Sequence, residues 1–278
     1  EVNQLSKEQQ SEQFQNLQQE IGKRKTRQGL KPLRNAKIGK VIMRFAPSPS
    51  GPMHIGHALT GSISYLYTQK YKGKFYVRIE DTNPENIYPP AYKMLEQEAK
   101  WLFNNKAKII IQSDHIPIYY KYIEKLLKLK KVYICTCNQE NFKAKAKEKK
   151  NCPCRKIKDQ KERWNKMLDK TKKGYHQGEA VLRFKTSMKH KNPAFRDFPL
   201  ARINTTTHPL QKNKYKVWPL MNLSVTIDDI EQKMTHIIRA KDHRDNSEKQ
   251  KLIYKALKKK PPISYFLGRI HLKDMELS

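Results

Sequence analysis

Between residues 41 and 71 the sequence passes from a short apolar strand, through a loop rich in proline and glycine, into a helix. The strand is predicted over Val41–Ala46 and the helix from about His54 to Tyr71. In an open α/β sheet such a junction lies at the carboxyl end of a strand, where ligands bind. The first turn of a helix offers free N–H groups and a positive dipole end. The segment therefore predicts a site for a phosphate-bearing ligand.

Two histidines mark the start of that helix. His54 and His57 are three residues apart and so share one face of the first turn. Both can donate hydrogen bonds to phosphate oxygens and stabilise charge that develops at phosphorus. Gly56 has no side chain, which lets a base or ribose approach the backbone. A single histidine at such a position is ordinarily a cap or a surface imidazole, whereas the whole run from Arg44 to His57 is a strong motif.

Strands and helices alternate on either side of a long interruption. The first half adds strands at Lys74–Glu80 and Lys108–Gln112, with helices at Tyr92–Asn104 and His115–Leu129. After about Lys214 the pattern returns as helix Leu220–Ile227, strand Thr235–Arg239, helix Asp242–Lys258 and strand Ile263–Leu272. Such alternation with short loops predicts a parallel α/β sheet.

The predicted fold class is α/β: a doubly wound, Rossmann-like parallel sheet interrupted by a basic insertion. We divide the chain into an N-terminal extension (1–39), a first half of the catalytic domain (40–131), the insertion (132–213) and a second half (214–278). Residue 1 is Glu and Ser278 falls within a strand–loop passage, so we expect the sequence to be part of a longer chain.

The charge balance indicates a polyanionic partner. Lys and Arg number 58 against 26 Asp and Glu, a formal net charge of +32. Residues 121–173 alone carry 19 basic and 6 acidic residues. Such a surface attracts nucleic acid, although a lysine-rich composition bias is the alternative. The sequence contains no apolar run long enough for a membrane span and opens with no signal-peptide pattern, so we expect a cytoplasmic protein without a membrane partner.

All four cysteines lie in the basic insertion, as Cys135-x-Cys137 and Cys152-x-Cys154. They are too few for a disulfide scaffold, and a reducing compartment favours metal binding. Two close pairs can bring four thiolates to one tetrahedral Zn²⁺. No open coordination position is evident, so such a zinc would be structural. Two pairs of free thiols are the alternative.

Several motifs together resemble one family. Arg44–His57 resembles the HIGH signature of class I aminoacyl-tRNA synthetases, and its flanks resemble the glutamyl/glutaminyl subclass. Arg78–Pro84 is similar to the second-strand motif of that subclass, and Ile227–Asp229 with Thr235–His243 resembles its second-half motif. Gly29–Leu33 and the Cys-x-Cys pair resemble the archaeal glutamyl form. The resemblance covers roughly residues 24–278.

The resemblance implies ATP-dependent ligation of L-glutamate to tRNA through a glutamyl-adenylate, with Mg²⁺ accompanying ATP and the insertion gripping the tRNA acceptor end. It implies that Arg44 contacts the side-chain carboxylate of glutamate, Glu80 its ammonium and Arg239 a carboxylate. The predicted catalytic residues are His54 and His57. The predicted ATP-binding residues are His54, Gly56, His57, Asp242 and His243. The predicted substrate-binding residues are Arg44, Ala46, Ser48, Glu80 and Arg239. The predicted metal ligands are Cys135, Cys137, Cys152 and Cys154.

Three positions need separate mention. Met221 stands where the family usually has a tyrosine whose hydroxyl helps read the substrate, and methionine cannot donate a hydrogen bond; ordinary core packing is the alternative role. Asp242 is also a predicted N-cap. Gly268–Leu272 resembles the segment before the KMSKS loop, and Glu276–Ser278 resembles the opening of its archaeal variant, so the sequence stops before the expected lysine.

Other functions stay open from the sequence. They are a glutaminyl enzyme or a glutamyl enzyme that charges both tRNAs, a paralogue that glutamylates a tRNA base, an RNA-binding module without catalysis, and a small-molecule nucleotidylyltransferase. We expect a monomer.

Overall fold

In the computed structural model of the protein, residues 5–20 and 29–268 are described. The chain divides into two compact units, Glu1–Leu33 and Arg34–Ser278. The first unit contains helix α1 (Lys7–Glu20). Within the described ranges, no helix combines the length and hydrophobicity that a membrane span requires. Apart from Gly268, the residues that resemble the KMSKS region lie outside the described residues.

The second unit is built on parallel strands. Strands β1 (Ile42–Phe45), β2 (Lys74–Ile79) and β3 (Lys108–Ile111) pair in parallel in that order. Strands β8 (His236–Ala240) and β9 (Ile263–Leu267) form a second parallel pair. The Thr235 N–H donates to the Ile42 carbonyl oxygen (3.0 Å), and the Ile42 N–H donates to Thr235 Oγ1 (2.9 Å). These bonds join β8 to β1, giving the spatial order β3-β2-β1-β8-β9.

Helices connect the parallel strands, as the sequence predicts. They are α2 (Ile55–Lys70), α3 (Ala91–Leu102), α4 (Ile116–Lys128), α7 (Met221–Glu231) and α8 (Arg244–Ala256). Parallel sheets need helices on their faces because their strands are apolar, and Met43, Val77 and Ile79 in β1 and β2 are buried. The predicted Rossmann-like α/β fold is confirmed.

Helix α2 packs closely on the sheet. A Cβ atom added at Gly61 would lie 2.8 Å from Phe103 Cζ and 3.3 Å from Phe45 Cγ. A glycine at this position therefore lets α2 lie against the aromatic side chains beneath it. This packing fixes the first turn of α2 next to the carboxyl end of β1.

The basic insertion contains an antiparallel sheet. Its strands are β4 (Val132–Cys135), β5 (Val181–Phe184), β6 (Pro199–Ile203) and β7 (Val217–Pro219), paired in the order β4-β5-β6-β7. Helices α5 (Gln139–Lys147) and α6 (Gln160–Leu168) lie between β4 and β5 in the chain. The sheet continues past residue 213 to Pro219, so β7 falls within residues 214–278, the predicted second half of the catalytic domain.

The insertion shares a hydrophobic core with the parallel α/β part. One continuous cluster of buried side chains includes Ile123 of α4, Trp164 of α6, Leu200 of β6, Trp218 of β7 and Ile253 of α8. The insertion is therefore a packed part of the second unit.

Candidate active site

Three charged side chains meet at the carboxyl edge of the parallel strands. Arg44 is the next-to-last residue of β1, Glu80 directly follows β2, and Arg239 is the next-to-last residue of β8. The two arginines are 5% and 8% exposed, and 18% of the Glu80 side chain is exposed. The structure thus brings together the three charges that the sequence predicts for substrate binding.

The two histidines of the signature stack on each other. Their ring centroids are 3.7 Å apart with an interplanar angle of 27°. His54 is the N-cap of α2, and its Nδ1 accepts a hydrogen bond from the Gly56 N–H at 3.1 Å. A Cβ at position 56 would lie 3.1 Å from His54 Cε1, so the His54 ring uses the space that glycine leaves. His54 therefore has a capping role in addition to its predicted contact with phosphate.

His57 is more buried than His54. Burial, and then the neighbouring His54, lower the pKa of His57 to about 4. Its Nδ1 is buried and has no hydrogen-bond partner among the described residues. The ring is therefore neutral at pH 7, with a polar atom that the described side chains and backbone leave unsatisfied.

The loop before the histidines is held at three points. The Glu80 N–H donates to the Pro47 carbonyl oxygen (2.8 Å) and the Tyr88 N–H to the Pro49 carbonyl oxygen (2.9 Å). The Met53 N–H donates to Oε2 of Glu98 on α3 (2.9 Å). These bonds fasten the loop to the end of β2 and to α3, and so hold the start of α2 in place.

Two predicted residues of this loop, Ala46 and Ser48, differ in exposure. Ala46 is half-buried directly after β1, and Ser48 is exposed. Neither side chain takes part in the buried ion network described next, so their role in binding substrate stays a prediction.

A buried network of ion pairs lies beneath the three charges. Asp229 Oδ1 on α7 accepts from Arg44 Nε at 3.2 Å and from Arg78 Nη1 at 2.9 Å. Arg78 Nη2 in turn donates to Glu80 Oε1 at 3.0 Å. Arg78 and Asp229 lie within the motifs Arg78–Pro84 and Ile227–Asp229, but the motifs alone predict no role for either side chain. The available signal was a charged residue within an otherwise apolar strand or helix, since a buried charge requires a partner.

Asp228 extends the network toward α4. Its Oδ2 lies 3.5 Å from Arg78 Nε and accepts from Gln112 Nε2 (2.9 Å) and from the Tyr119 hydroxyl (2.8 Å). Its Oδ1 lies 2.8 Å from His115 Nδ1. That hydrogen bond raises the pKa of His115 despite partial burial. All four groups hold the second carboxylate of α7 against the sheet.

Among the described residues, the hydrogen-bond partners of Arg239 are neutral side chains. Its Nη1 donates to Ser247 Oγ (3.0 Å) and to Gln250 Oε1 (3.1 Å) of α8. Burial, and then the Arg44 charge, lower the pKa of Arg239 to about 10. The group remains a cation at pH 7. An anionic ligand would therefore relieve the repulsion between the two arginines.

His243 and Asp242 follow β8 at the same edge. His243 is half-buried, and burial followed by the Arg239 charge lowers its pKa. The predicted N-cap role of Asp242 is wrong, because α8 begins at Arg244 and its N-cap is His243. Asp242 instead lies in a one-turn 3₁₀ helix, Lys241–His243, that precedes α8.

The four cysteines converge in the insertion. Their Sγ atoms all lie within 4.8 Å of one another. Cys152 Sγ is 3.6 Å from Cys135 Sγ and 3.7 Å from Cys137 Sγ, and the Cys137 and Cys154 sulfurs are 3.9 Å apart. A disulfide would need about 2.05 Å, so these are thiols. Four sulfurs at about 2.3 Å from a tetrahedral Zn²⁺ lie about 3.8 Å apart, so the cluster has the dimensions of a zinc site.

The surroundings of the cluster lower the pKa of Cys135 and Cys154 and raise the pKa of Cys137 and Cys152. A hydrogen bond with Cys152, assisted by the nearby Arg183 guanidinium, lowers the pKa of Cys135 to about 5. Tyr133, Phe142 and Met188 pack around the sulfurs in a small core of their own. The cluster therefore holds together a part of the insertion that has few other apolar contacts.

Comparisons with known proteins identify the family. The sequence model described as tRNA synthetases class I (E and Q), catalytic domain, matches residues 40–278. The chain belongs to this family. It is 43% identical to a glutamate–tRNA ligase of Methanosphaera stadtmanae and 41% identical to one of Methanocaldococcus jannaschii, with all of this chain covered in each case. The chain spans about half the length of these relatives, 49% and 50% respectively.

A solved structure shows the same fold for this synthetase domain. It is a glutamate–tRNA ligase from Elizabethkingia meningosepticum in complex with its amino acid, with a TM-score of 0.65 and 22% sequence identity. The match covers 86% of this chain and 52% of that chain. The resemblance stated from the motifs is thus confirmed at the level of family and fold.

Within this synthetase domain Met221 departs from simple core packing. It is the first residue of α7 and is 37% exposed. An exposed thioether at the start of α7 is not ordinary core filler, so that alternative for Met221 is wrong.

Proposed function

We propose that this chain is the catalytic part of a glutamate–tRNA ligase, which joins L-glutamate to tRNA at the expense of ATP. The observation that carries the proposal is the set of two cations and one anion, Arg44, Arg239 and Glu80, beside the stacked His54 and His57. Glutamate has two carboxylates and one ammonium, so its charges complement the set. The archaeal relatives named above support the same activity.

The roles of the three charges follow from complementarity. Arg44 would bind the side-chain carboxylate, Glu80 the ammonium and Arg239 a carboxylate of the bound amino acid. Glutamine lacks one negative charge, so Arg44 would keep as its counter-ion only Asp229, which it shares with Arg78. The geometry therefore favours the glutamyl over the glutaminyl activity.

The chemistry of the first step is a displacement at phosphorus. An oxygen of the glutamate α-carboxylate attacks the α-phosphorus of ATP, the bond to the bridging oxygen of the β-phosphate breaks, and pyrophosphate leaves. The N–H groups at the start of α2, with His54 and His57, would stabilise charge on the phosphate oxygens. Mg²⁺ would accompany ATP as it does in most phosphoryl transfers. Gly56, Asp242 and His243 stay predicted contacts of ATP.

In the second step a ribose hydroxyl at the end of the tRNA attacks the carbonyl carbon of the adenylate, and AMP leaves. The basic insertion would hold the acceptor end of the tRNA through its phosphates. A zinc ion on Cys135, Cys137, Cys152 and Cys154 would keep that surface folded. A cytoplasmic monomer is the setting that we expect for this activity.

The pocket can be tested with two non-hydrolysable adenylates, one glutamyl and one glutaminyl, in calorimetric titrations. We expect tight binding of the glutamyl analogue and weaker binding of the glutaminyl analogue by about tenfold or more, because the missing charge leaves Arg44 with only the shared carboxylate of Asp229 as its partner. Equal binding of both would contradict glutamate selectivity. Binding of neither would favour a module that binds RNA only.

The affinity for tRNA should fall steeply with salt. Lys and Arg contacts to phosphates release counterions, so we expect a loss of about 100-fold or more between about 50 and 200 mM salt. Filter binding or fluorescence anisotropy with a glutamate-accepting tRNA measures this. Titration of the glutamyl-adenylate analogue over the same salt range is the control, since it makes few phosphate contacts. A flat response for tRNA would contradict binding through the basic surface.

The buried charges speak against a pure binding module. Arg44, Arg78 and Arg239 are each less than a tenth exposed, and removing such cations from water costs several kcal/mol apiece before pairing. An RNA-binding surface has no use for charges placed beneath its sheet edge. Charges at these positions are suited to bind a ligand that carries carboxylates and an ammonium.

A further inference from the structure

Four buried or half-buried charges form a continuous chain of alternating sign. The order is Arg44, Asp229, Arg78 and Glu80, joined by contacts of 3.2, 2.9 and 3.0 Å. This series of ion pairs runs from β1 through α7 and back to β2. It links the two groups proposed to bind the opposite ends of the amino acid, the side-chain carboxylate and the ammonium.

The two inner residues, Asp229 and Arg78, leave part of each outer residue, Arg44 and Glu80, free to bind a ligand. Arg44 uses only Nε for Asp229, and its two Nη groups form no hydrogen bond with the described residues. These groups are the fork that binds a carboxylate in a bidentate manner. Glu80 receives Arg78 through Oε1 alone. Each outer charge is therefore held on one side and available on the other.

The inner members are themselves firmly fixed. Arg78 is 0% and Asp229 is 2% exposed. Arg78 also donates to Gln232 Oε1 at 3.0 Å, and burial among these carboxylates keeps it charged. A buried, hydrogen-bonded pair of this kind has little freedom to move, so it sets a defined separation between the groups at its two ends.

We propose that Arg78 and Asp229 are positioning residues that set the distance between Arg44 and Glu80, and thereby select an amino acid with the length of glutamate over the shorter aspartate. The inference rests on the proposed function and extends it to groups that do not touch the substrate. Removing one methylene shifts a terminal carboxylate by more than about 1 Å, and misplacement on that scale costs about 100-fold at a reacting centre.

The test compares Asp229→Asn and Arg78→Lys with the unchanged protein. Asparagine keeps the shape of the side chain and removes its charge. Lysine keeps a charge but its single ammonium cannot span Asp229 and Glu80 as a guanidinium does. The measured quantities are the Kd values of non-hydrolysable glutamyl-, aspartyl- and glutaminyl-adenylates and of AMP, with the melting temperature as a monitor of folding.

In both variants we expect the preference for the glutamyl over the aspartyl analogue to fall by about tenfold or more, with the Kd of AMP unchanged, because only the amino-acid end loses its alignment. The matched control is Asp197→Asn. Asp197 is also fully buried and pairs with an arginine, Arg155, but in the insertion. This control should keep the preference for the glutamyl analogue.

Two results would overturn the inference. One is a folded variant that keeps the unchanged preference for the glutamyl analogue. The other is a loss of affinity that is equal for AMP and for all three adenylates, which is the result of a merely structural role. If Asp229→Asn does not fold, Arg78→Lys decides by the same criteria. If the unchanged protein shows no preference for the glutamyl analogue, the proposed function itself fails, which is a separate outcome.

Discussion

Replacing both His54 and His57 by alanine is expected to lower the rate of adenylate formation by about 10³-fold or more, since donors at a developing phosphate charge contribute about 10² to 10³ each. The loss should appear in the rate constant of the step and far less in the Kd of ATP. Pyrophosphate exchange in the presence of glutamate and a glutamate-accepting tRNA measures the rate.

The environment of His57 explains why its loss should affect rate more than stability. Its Nδ1 has no partner among the described residues, so truncation breaks no hydrogen bond that the described part of the protein forms there. His54 does cap α2 through the Gly56 N–H, and removing such a cap costs about 1 kcal/mol. The single variants therefore separate the two contributions.

The lowered pKa of His57 also determines how its contribution to folding stability depends on pH. Its pKa is about 4 in the folded protein, against about 6.5 in an unfolded chain. Because the unfolded chain binds more protons between these values, this residue's contribution to stability is present above about pH 6.5 and is lost as the pH falls toward 4.

The control for the rate of the alanine variants is His190→Ala. His190 stacks on Phe195 in the insertion, and its replacement should leave the rate of adenylate formation unchanged. A rate in the unchanged protein that rises as His57 becomes protonated would contradict the proposed neutral donor.

Removing the zinc proposed for the cysteine cluster is the second change with a large expected effect. Structural zinc in small domains is worth about 10–16 kcal/mol of apparent binding free energy. Because the cluster has its own small core around Tyr133, Phe142 and Met188, we expect chelation to unfold this part of the insertion while the larger shared core persists. Differential scanning calorimetry should show a separate transition at lower temperature, and affinity for tRNA should fall.

Cys152→Ser tests the same site without a chelator, since its sulfur lies 3.6 Å from that of Cys135 and 3.7 Å from that of Cys137. Met188→Leu is the matched control, a conservative change of a buried neighbour that is not a ligand. Elemental analysis should give about one zinc per chain in the unchanged protein and in this control. Absence of stoichiometric zinc from the unchanged protein, or a melting profile that chelation leaves unaltered, would contradict the site.

The motifs and the strand rhythm were enough to predict the α/β fold and to place Arg44, Glu80 and Arg239 at one sheet edge. Local patterning could not reveal that Arg44 pairs with Asp229, because the two are 185 residues apart in sequence and nothing in either neighbourhood encodes the other. Strands β4 and β7 went unpredicted, and every residue of both is buried. They therefore show none of the apolar–polar alternation that marks a half-buried strand.

His54 shows a different limit of prediction from sequence. Its position at a helix start was compatible with capping and with catalysis, and the structure shows that the capping bond uses Nδ1. One ring can serve both roles only because its two nitrogens are distinct. Residue identity alone does not show such a division.

The order of the antiparallel strands has a mechanical consequence. The chain leaves the parallel part through β4 and returns through β7, which lie at opposite edges of the four-stranded sheet. With neighbouring strands about 4.8 Å apart, the two crossing points are separated by about 14 Å. Because the insertion is joined to the α/β part at two separated points, its rotation about either point is restricted. The basic surface should therefore move with the α/β part as one rigid body. An RNA end held on this surface would keep a fixed position relative to the sheet edge.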